Sequence, residues 1–72
     1  MTIYEEVVFV SKTYLGPATE QFIARQCKLL KINPPQLAKT DLPGLAKWMG
    51  VGAGLLMDEK KAQELSAKVK SL

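Results

Sequence analysis

Apolar residues recur along this chain at intervals of three and four, the spacing of one face of an α-helix. The first such stripe consists of Ile3, Val7, Val10 and Tyr14. β-Formers are frequent in this segment, but the adjacent acids Glu5 and Glu6 break the alternation that a strand requires. Thr2 and Glu5 also have the spacing of a capping box. These features predict a helix over residues 2–15.

Gly16 and Pro17 mark the next boundary, since glycine suits the position just past a helix end and proline suits a first helical turn. A second helix is therefore predicted from Pro17 to Lys31 or Ile32. Its apolar stripe consists of Ala18, Phe22, Ile23, Cys27 and Leu30. A short extra turn over 34–39 follows, with Asn33 as its cap.

A third helix is predicted from Leu42, with Thr40 or Asp41 as cap and Pro43 in the first turn. Its expected buried face consists of Leu42, Leu45, Ala46 and Met49. Because an interior glycine costs about 0.5–1 kcal/mol relative to alanine, we expect a bend at Gly50–Gly54 and a return to helix over 55–57.

The last helix is predicted from the cap Asp58 to the end of the chain, with a stripe of Ala62, Leu65, Val69 and Leu72. The predicted fold is therefore all-α: one domain over residues 1–72, built as a small bundle of four main helices plus a short extra turn. A chain of this length buries only about 60 % of its unfolded surface. The expected core is Val7, Val10, Phe22, Ile23, Leu30, Leu45, Met49, Leu56, Leu65 and Val69.

Composition points to a protein of the cytoplasm. The single cysteine, Cys27, cannot form an intramolecular disulfide, which fits a reducing compartment. The N-terminus has early acids in place of the basic region of a signal peptide. No apolar run approaches the roughly 20 residues that span a bilayer. The net charge of +3 is too small to indicate a particular class of partner.

Candidate catalytic groups are few. Histidine is absent, and one cysteine cannot build a zinc site. The carboxylates fall mostly at helix starts or exposed positions, where capping accounts for them. Cys27 lies on the apolar face of its helix, as a buried small hydrophobe would. We therefore expect a protein that is not an enzyme, with no catalytic residue, no cofactor and no metal ligand.

The uncharged stretch 48–57, WMGVGAGLLM, carries three glycines at alternate positions. Such glycines could form a phosphate-binding loop, but that motif needs a strand before it and a basic or hydroxyl residue directly after it. No strand is predicted before this stretch, and the acids Asp58 and Glu59 follow it. We favour a steric role, because Ala46, Gly50 and Gly54 repeat at intervals of four and would form a small-residue face for close helix packing. A flexible bend is the alternative.

The same stretch contains candidate partner-binding residues. Trp48, Val51 and Leu55 are spaced by three and four, so they form one patch if they face outward. Trp48 is either an aromatic at the edge of the core or an interface anchor. Either a protein partner or a second copy of the chain could cover this patch.

The second helix carries a family resemblance. Leu15, Gly16, Pro17 and Ala18 open it, followed by paired apolar positions at Phe22 and Ile23 and a basic residue at Arg25. This pattern, over residues 8–65, resembles a small helical module found at the C-termini of bacterial signalling proteins, including some serine/threonine kinases and nucleotide cyclases. The resemblance implies an accessory, non-catalytic role in interaction or regulation.

The expected function is thus a non-catalytic protein-interaction or regulatory module of a bacterial cytoplasmic system. The alternative is a small nucleic-acid-binding protein with a helix-turn-helix over 34–50, although Lys47 is the only basic residue of the helix that would read the DNA. The lysines of the last helix alternate with acids and indicate a solvated face.

Overall fold

The computed structural model describes residues 2–72, and within that range it contains helices and turns but no strand. The predicted all-α class is therefore confirmed. The α-helices are α1 (Ile3–Leu15), α2 (Thr19–Leu29), α3 (Leu42–Ala53) and α4 (Glu59–Lys70). Short 3-10 turns occupy Gly16–Ala18, Pro34–Gln36 and Lys39–Asp41.

The predicted division into four main helices and one extra turn needs correction. Helical residues run without interruption over 3–29, over 39–53 and over 59–70, and the turn Pro34–Gln36 stands apart from them. The chain is thus three continuous helical stretches with one separate 3-10 turn. In the first stretch the 3-10 turn Gly16–Ala18 joins α1 to α2. Pro17 fits this turn because its φ is fixed at a helical value and its missing N–H is not needed in a first turn. Gly16, with φ at +58°, separates α1 from α2 within this stretch.

Two of the predicted helix caps are present. The backbone N–H of Thr2 donates to Glu5 at 2.9 Å, and the backbone N–H of Glu5 donates to the Thr2 hydroxyl at 3.1 Å. Asp58 accepts from the backbone N–H of Lys61 at 2.8 Å. The carboxylate of Asp41 does not cap α3. It accepts instead from the backbone N–H of Ala38 at 2.9 Å and so closes the preceding turn.

The second helix ends at Leu29, two or three residues before the predicted end at Lys31 or Ile32. Lys31 adopts φ of +60°, which turns the chain out of the helix. The N–H of Ile32 then donates to the carbonyl of Cys27 at 2.9 Å, and the N–H of Lys31 donates to that of Lys28 at 3.1 Å. These two bonds form a Schellman motif, in which a lysine occupies the position usually given to glycine.

The third helix passes straight through Gly50 and Gly52 and ends at Ala53, so the predicted bend there is wrong. Packing offsets the intrinsic cost of these glycines, because neighbouring helices lie against both of them. The predicted return to helix over 55–57 is wrong as well. Residues 54–56 form a turn, closed by a 2.9 Å bond from the N–H of Met57 to the carbonyl of Ala53.

The core lies inside a closed ring of helices, in which α1 and α3 each pack against both α2 and α4. Among the expected core residues, Val10, Phe22 and Leu30 are only partly buried, and Leu56 is 66 % exposed because it lies in the turn after α3. Leu37 is a core residue that its segment's pattern did not predict. The buried apolar residues are Val7, Val8, Ile23, Cys27, Leu37, Leu42, Leu45, Ala46, Met49, Ala53, Ala62, Leu65 and Val69.

Candidate protein-interaction surface

Large apolar side chains are exposed mainly on one side of the molecule. The exposed fractions are 69 % for Phe9, 61 % for Leu29, 42 % for Trp48, 59 % for Val51, 86 % for Leu55 and 66 % for Leu56. All of these except Phe9 line one groove between α2 and the end of α3. Phe9 lies apart, in a cavity shared with Tyr4 and the charged residues Glu5, Lys12 and Glu20.

This groove has a volume of about 290 Å³, and it shares the lining residues Phe22, Arg25 and Leu56 with a neighbouring cavity of about 140 Å³. We call the two together the α2–α3 groove. It is lined by Ala18, Gln21, Phe22, Arg25, Gln26, Leu29, Trp48, Val51, Gly52, Leu55 and Leu56.

Helical spacing explains how each wall forms. On α2, Phe22, Arg25 and Leu29 follow at intervals of three and four, while Ile23 and Cys27 point into the core. On α3, Trp48 and Val51 leave the helix on the side away from the buried Met49. Leu55 and Leu56 extend this wall from the turn that follows α3.

Gly52 sets how closely the two walls approach. A Cβ atom on it would lie 2.9 Å from Nε2 of Gln26 and 3.1 Å from Cζ of Phe22. Such distances are shorter than side chains tolerate without moving, so glycine permits this contact between α2 and α3.

The small-residue face predicted at Ala46, Gly50 and Gly54 is formed only in part. Ala46 is buried, and a Cβ on Gly50 would lie 3.2 Å from Cβ of Ser66 on α4. A Cβ on Gly54 would meet only the carbonyl oxygens of Gly50 and Val51, both at 3.4 Å. Gly54 is exposed in the turn after α3 and lets no other helix approach, because the helix has already ended.

The predicted partner-binding residues Trp48, Val51 and Leu55 are exposed together on the α2–α3 groove. The sequence pattern predicts Phe22 and Leu56 as core residues. It does not indicate that Leu29 and Arg25 belong to a binding surface. Leu29 carried one signal, because it is a large apolar residue that falls outside the predicted apolar stripe of α2. In the structure Leu29 is exposed, whereas the neighbouring Leu30 is partly buried.

Charge is sparse in the groove. Arg25 is the one charged side chain among the described residues that line it. The lysines of α4 lie elsewhere on the surface, and Lys68 has an intramolecular contact, with its Nζ 5.1 Å from the centroid of the Tyr14 ring. The interaction with Tyr14 raises the pKa of Lys68.

Chemically reactive groups are not concentrated at this surface. Cys27 is fully buried, and burial, together with the nearby carboxylate of Asp41, raises the pKa of its thiol. Within residues 2–72, no three His, Cys, Asp or Glu side chains are grouped as a metal site requires.

The segment predicted as a helix-turn-helix differs from that motif. Residues 34–41 form two 3-10 turns where its first helix would lie. The exposed face of α3 presents Trp48 and Val51 beside Lys47, so a partner would meet mainly apolar atoms there.

In the part of the chain that the structure describes, no helix has the length and apolarity to cross a membrane. Comparisons with the profiles of protein families, with curated proteins and with solved structures give no match to this chain.

Proposed function

We propose that this chain is a non-catalytic protein-interaction or regulatory module whose partner docks in the α2–α3 groove. The observation that supports this most directly is the gathering of Leu29, Trp48, Val51, Leu55 and Leu56, all exposed, along one groove. Apolar residues scattered singly over a surface are ordinary, whereas a contiguous patch marks a site of association.

Covering this groove would be favourable for a partner. Each large apolar side chain that passes from exposed to fully buried contributes about 1.5–3 kcal/mol of transfer free energy. Trp48 has the further property that tryptophan and arginine dominate the binding energy of many protein interfaces. Arg25, on the opposite wall of the groove, is the second residue of a type that dominates binding energy.

A role in a bacterial cytoplasmic signalling system rests on the family resemblance. The residues that carry this resemblance lie in two parts of the structure. Gly16 and Pro17 build the junction between α1 and α2, and Phe22 and Arg25 line the groove. A module of this kind would act by bringing a catalytic or regulatory partner to its site, with no chemistry of its own.

Site-specific photo-crosslinking in the source cells tests the proposal. A photoreactive phenylalanine analogue is placed at position 55 in one variant and at position 9 in another. Leu55 and Phe9 are both highly exposed apolar residues, 86 % and 69 %, on different faces, so neither replacement should disturb the core. We expect discrete protein adducts from position 55 and none above background from position 9.

The same adducts should disappear when Val51→Asp is added to the position-55 variant, since Val51 lines the groove and is 59 % exposed. Equal labelling from positions 55 and 9, or adducts that survive Val51→Asp, would refute docking at the groove.

A further inference from the structure

We infer that the occupant of the α2–α3 groove is an amphipathic helix of another protein, with a carboxylate that pairs with Arg25. This inference rests on the proposed function and specifies the chemistry of the partner.

The length of the groove fits a short helix. Its α2 wall runs from Ala18 to Leu29, which at 1.5 Å per residue is about 16 Å, or about three turns of a docked helix. A peptide that adds to the edge of a sheet has no strand to receive it within residues 2–72. Proline-rich segments dock in grooves lined by aromatic side chains, whereas four of the six large apolar side chains of this groove are aliphatic. A helix that lays its apolar face into a groove is the common mode that fits such a lining.

The groove is suited to apolar side chains. Its walls are Phe22 and Leu29 on one side and Trp48, Val51 and Leu55 on the other. Apolar side chains spaced at i, i+3 or i+4, and i+7 on a partner helix would fit between such walls.

Arg25 determines the polar part of the partner. It lines both parts of the groove, and the other described lining residues are uncharged. A guanidinium beside an apolar groove is best satisfied by a carboxylate, which it can bind through two parallel hydrogen bonds. We therefore expect Asp or Glu on the partner helix at the edge of its apolar face.

The same residue argues against a second copy of the chain. A twofold dimer apposes the same patch on both subunits, so two Arg25 side chains would enter one interface. The groove supplies no acid to neutralise them. A different, acidic partner avoids that repulsion.

Peptide display tests the inference. Random peptides of about 16 residues, long enough for three turns with flanks, are selected on the wild-type chain and counter-selected on Leu55→Asp. We expect enriched peptides with apolar residues at helical spacing and with Asp or Glu beside them. Selection on Arg25→Glu should replace those acids with Lys or Arg.

Charge reversal on single peptides gives the quantitative control. Arg25→Glu should weaken the binding of an acidic winner by about tenfold or more, since it turns an attraction into a like-charge contact. Lys28→Glu makes the same change of charge three residues along α2, at an exposed position outside the groove, and should change binding less than about threefold.

The outcomes separate this inference from the proposed function. Winners without helical spacing or acids, or winners indifferent to Arg25→Glu, overturn the helix while leaving the groove as a docking site. Self-association of the wild type in sedimentation, lost in Leu55→Asp, also overturns it in favour of a second copy. If no peptide prefers the wild type over Leu55→Asp and position 55 captures no protein in cells, the groove itself is refuted as a docking site.

Discussion

The hydroxyl of Ser66 on α4 donates a hydrogen bond to the backbone carbonyl of Ala46 on α3, with 2.7 Å between the two oxygens. The same side chain lies against Gly50, one helical turn further along α3. Ser66 therefore fixes the contact between α3 and α4 by both a polar bond and a steric fit.

Replacing Ser66 with alanine should lower the free energy of unfolding by about 1 kcal/mol, the usual net contribution of one hydrogen bond. Ser11 offers a matched control, because it is fully buried on α1 and its hydroxyl has no partner within the described chain. Ser11→Ala removes an unsatisfied polar group and should raise stability by about 1 kcal/mol. Urea unfolding followed by circular dichroism measures both, and changes of equal sign would contradict this assignment.

The glycines of α3 and its terminal turn should respond differently to a large side chain. Gly50→Leu and Gly52→Leu place atoms against Ser66 and against Phe22 and should each cost about 1–3 kcal/mol. Gly54→Leu meets no other helix and should change stability by less than about 0.5 kcal/mol. Thermal unfolding of the three variants is the measurement, and a cost at Gly54 equal to that at Gly50 would show that the predicted spacing of four governs packing after all.

Lys31 is held in a left-handed conformation that glycine adopts freely. Lys31→Gly should therefore stabilise the chain by about 0.5–1 kcal/mol. This value is the backbone strain that glycine relieves in the folded state, minus the conformational entropy that glycine adds to the unfolded state. Lys28→Gly makes the same substitution where the backbone is helical and should destabilise by about as much. Chemical denaturation tells the two apart, and a loss of stability in Lys31→Gly would be inconsistent with a strained cap.

The capping box of α1 should contribute to stability in a pH-dependent way. The backbone N–H of Thr2, and secondarily its side chain, lower the pKa of the Glu5 carboxyl in the folded state. A group with a lowered folded pKa stabilises at pH values above its unfolded pKa, about 4.3 for glutamate. That contribution is then lost as the pH falls through the folded pKa.

Wild type should consequently be more stable than Glu5→Gln at neutral pH, and the difference should vanish in acid. Carboxyl chemical shifts followed through a pH titration check the cause directly. Glu5 should titrate below the value of an unstructured glutamate, and Thr2→Ala should move it upward. An unchanged Glu5 pKa in Thr2→Ala would remove the side-chain contribution from this explanation.

Much of the fold could be predicted from local signals. The stripe of α4, its cap Asp58 and the capping box of Thr2 depend on neighbours in the chain, and all are present. Gly16 likewise lies just past the end of α1, as predicted, and has a positive φ. Such features are decided within one or two helical turns, where sequence spacing equals spatial proximity.

The features that sequence could not predict depend on other helices. Propensity argued for a bend at the glycines of α3, but contacts from Phe22 and Ser66 hold the helix straight through Gly50 and Gly52. The end of α2 at Leu29 gave no signal, because a lysine at position 31 takes the left-handed conformation that glycine usually adopts after a helix.

The interaction surface shows the same division. Trp48, Val51 and Leu55 could be grouped from spacing alone, although only Trp48 and Val51 lie on α3 and Leu55 reaches the groove from the turn that follows it. Leu29 and Arg25 join them only because α2 packs beside α3, and that relationship was not readable from the pattern of either helix.

Trp48 is the only tryptophan of the chain, and it lies at the groove with 42 % of its surface exposed. Indole emission shifts to shorter wavelengths when water is removed from the ring and to longer wavelengths when more water reaches it. Occupation of the groove should therefore shift the emission of this protein to the blue, and unfolding should shift it to the red. One native fluorophore thus distinguishes a bound partner from a denatured chain, with no label attached.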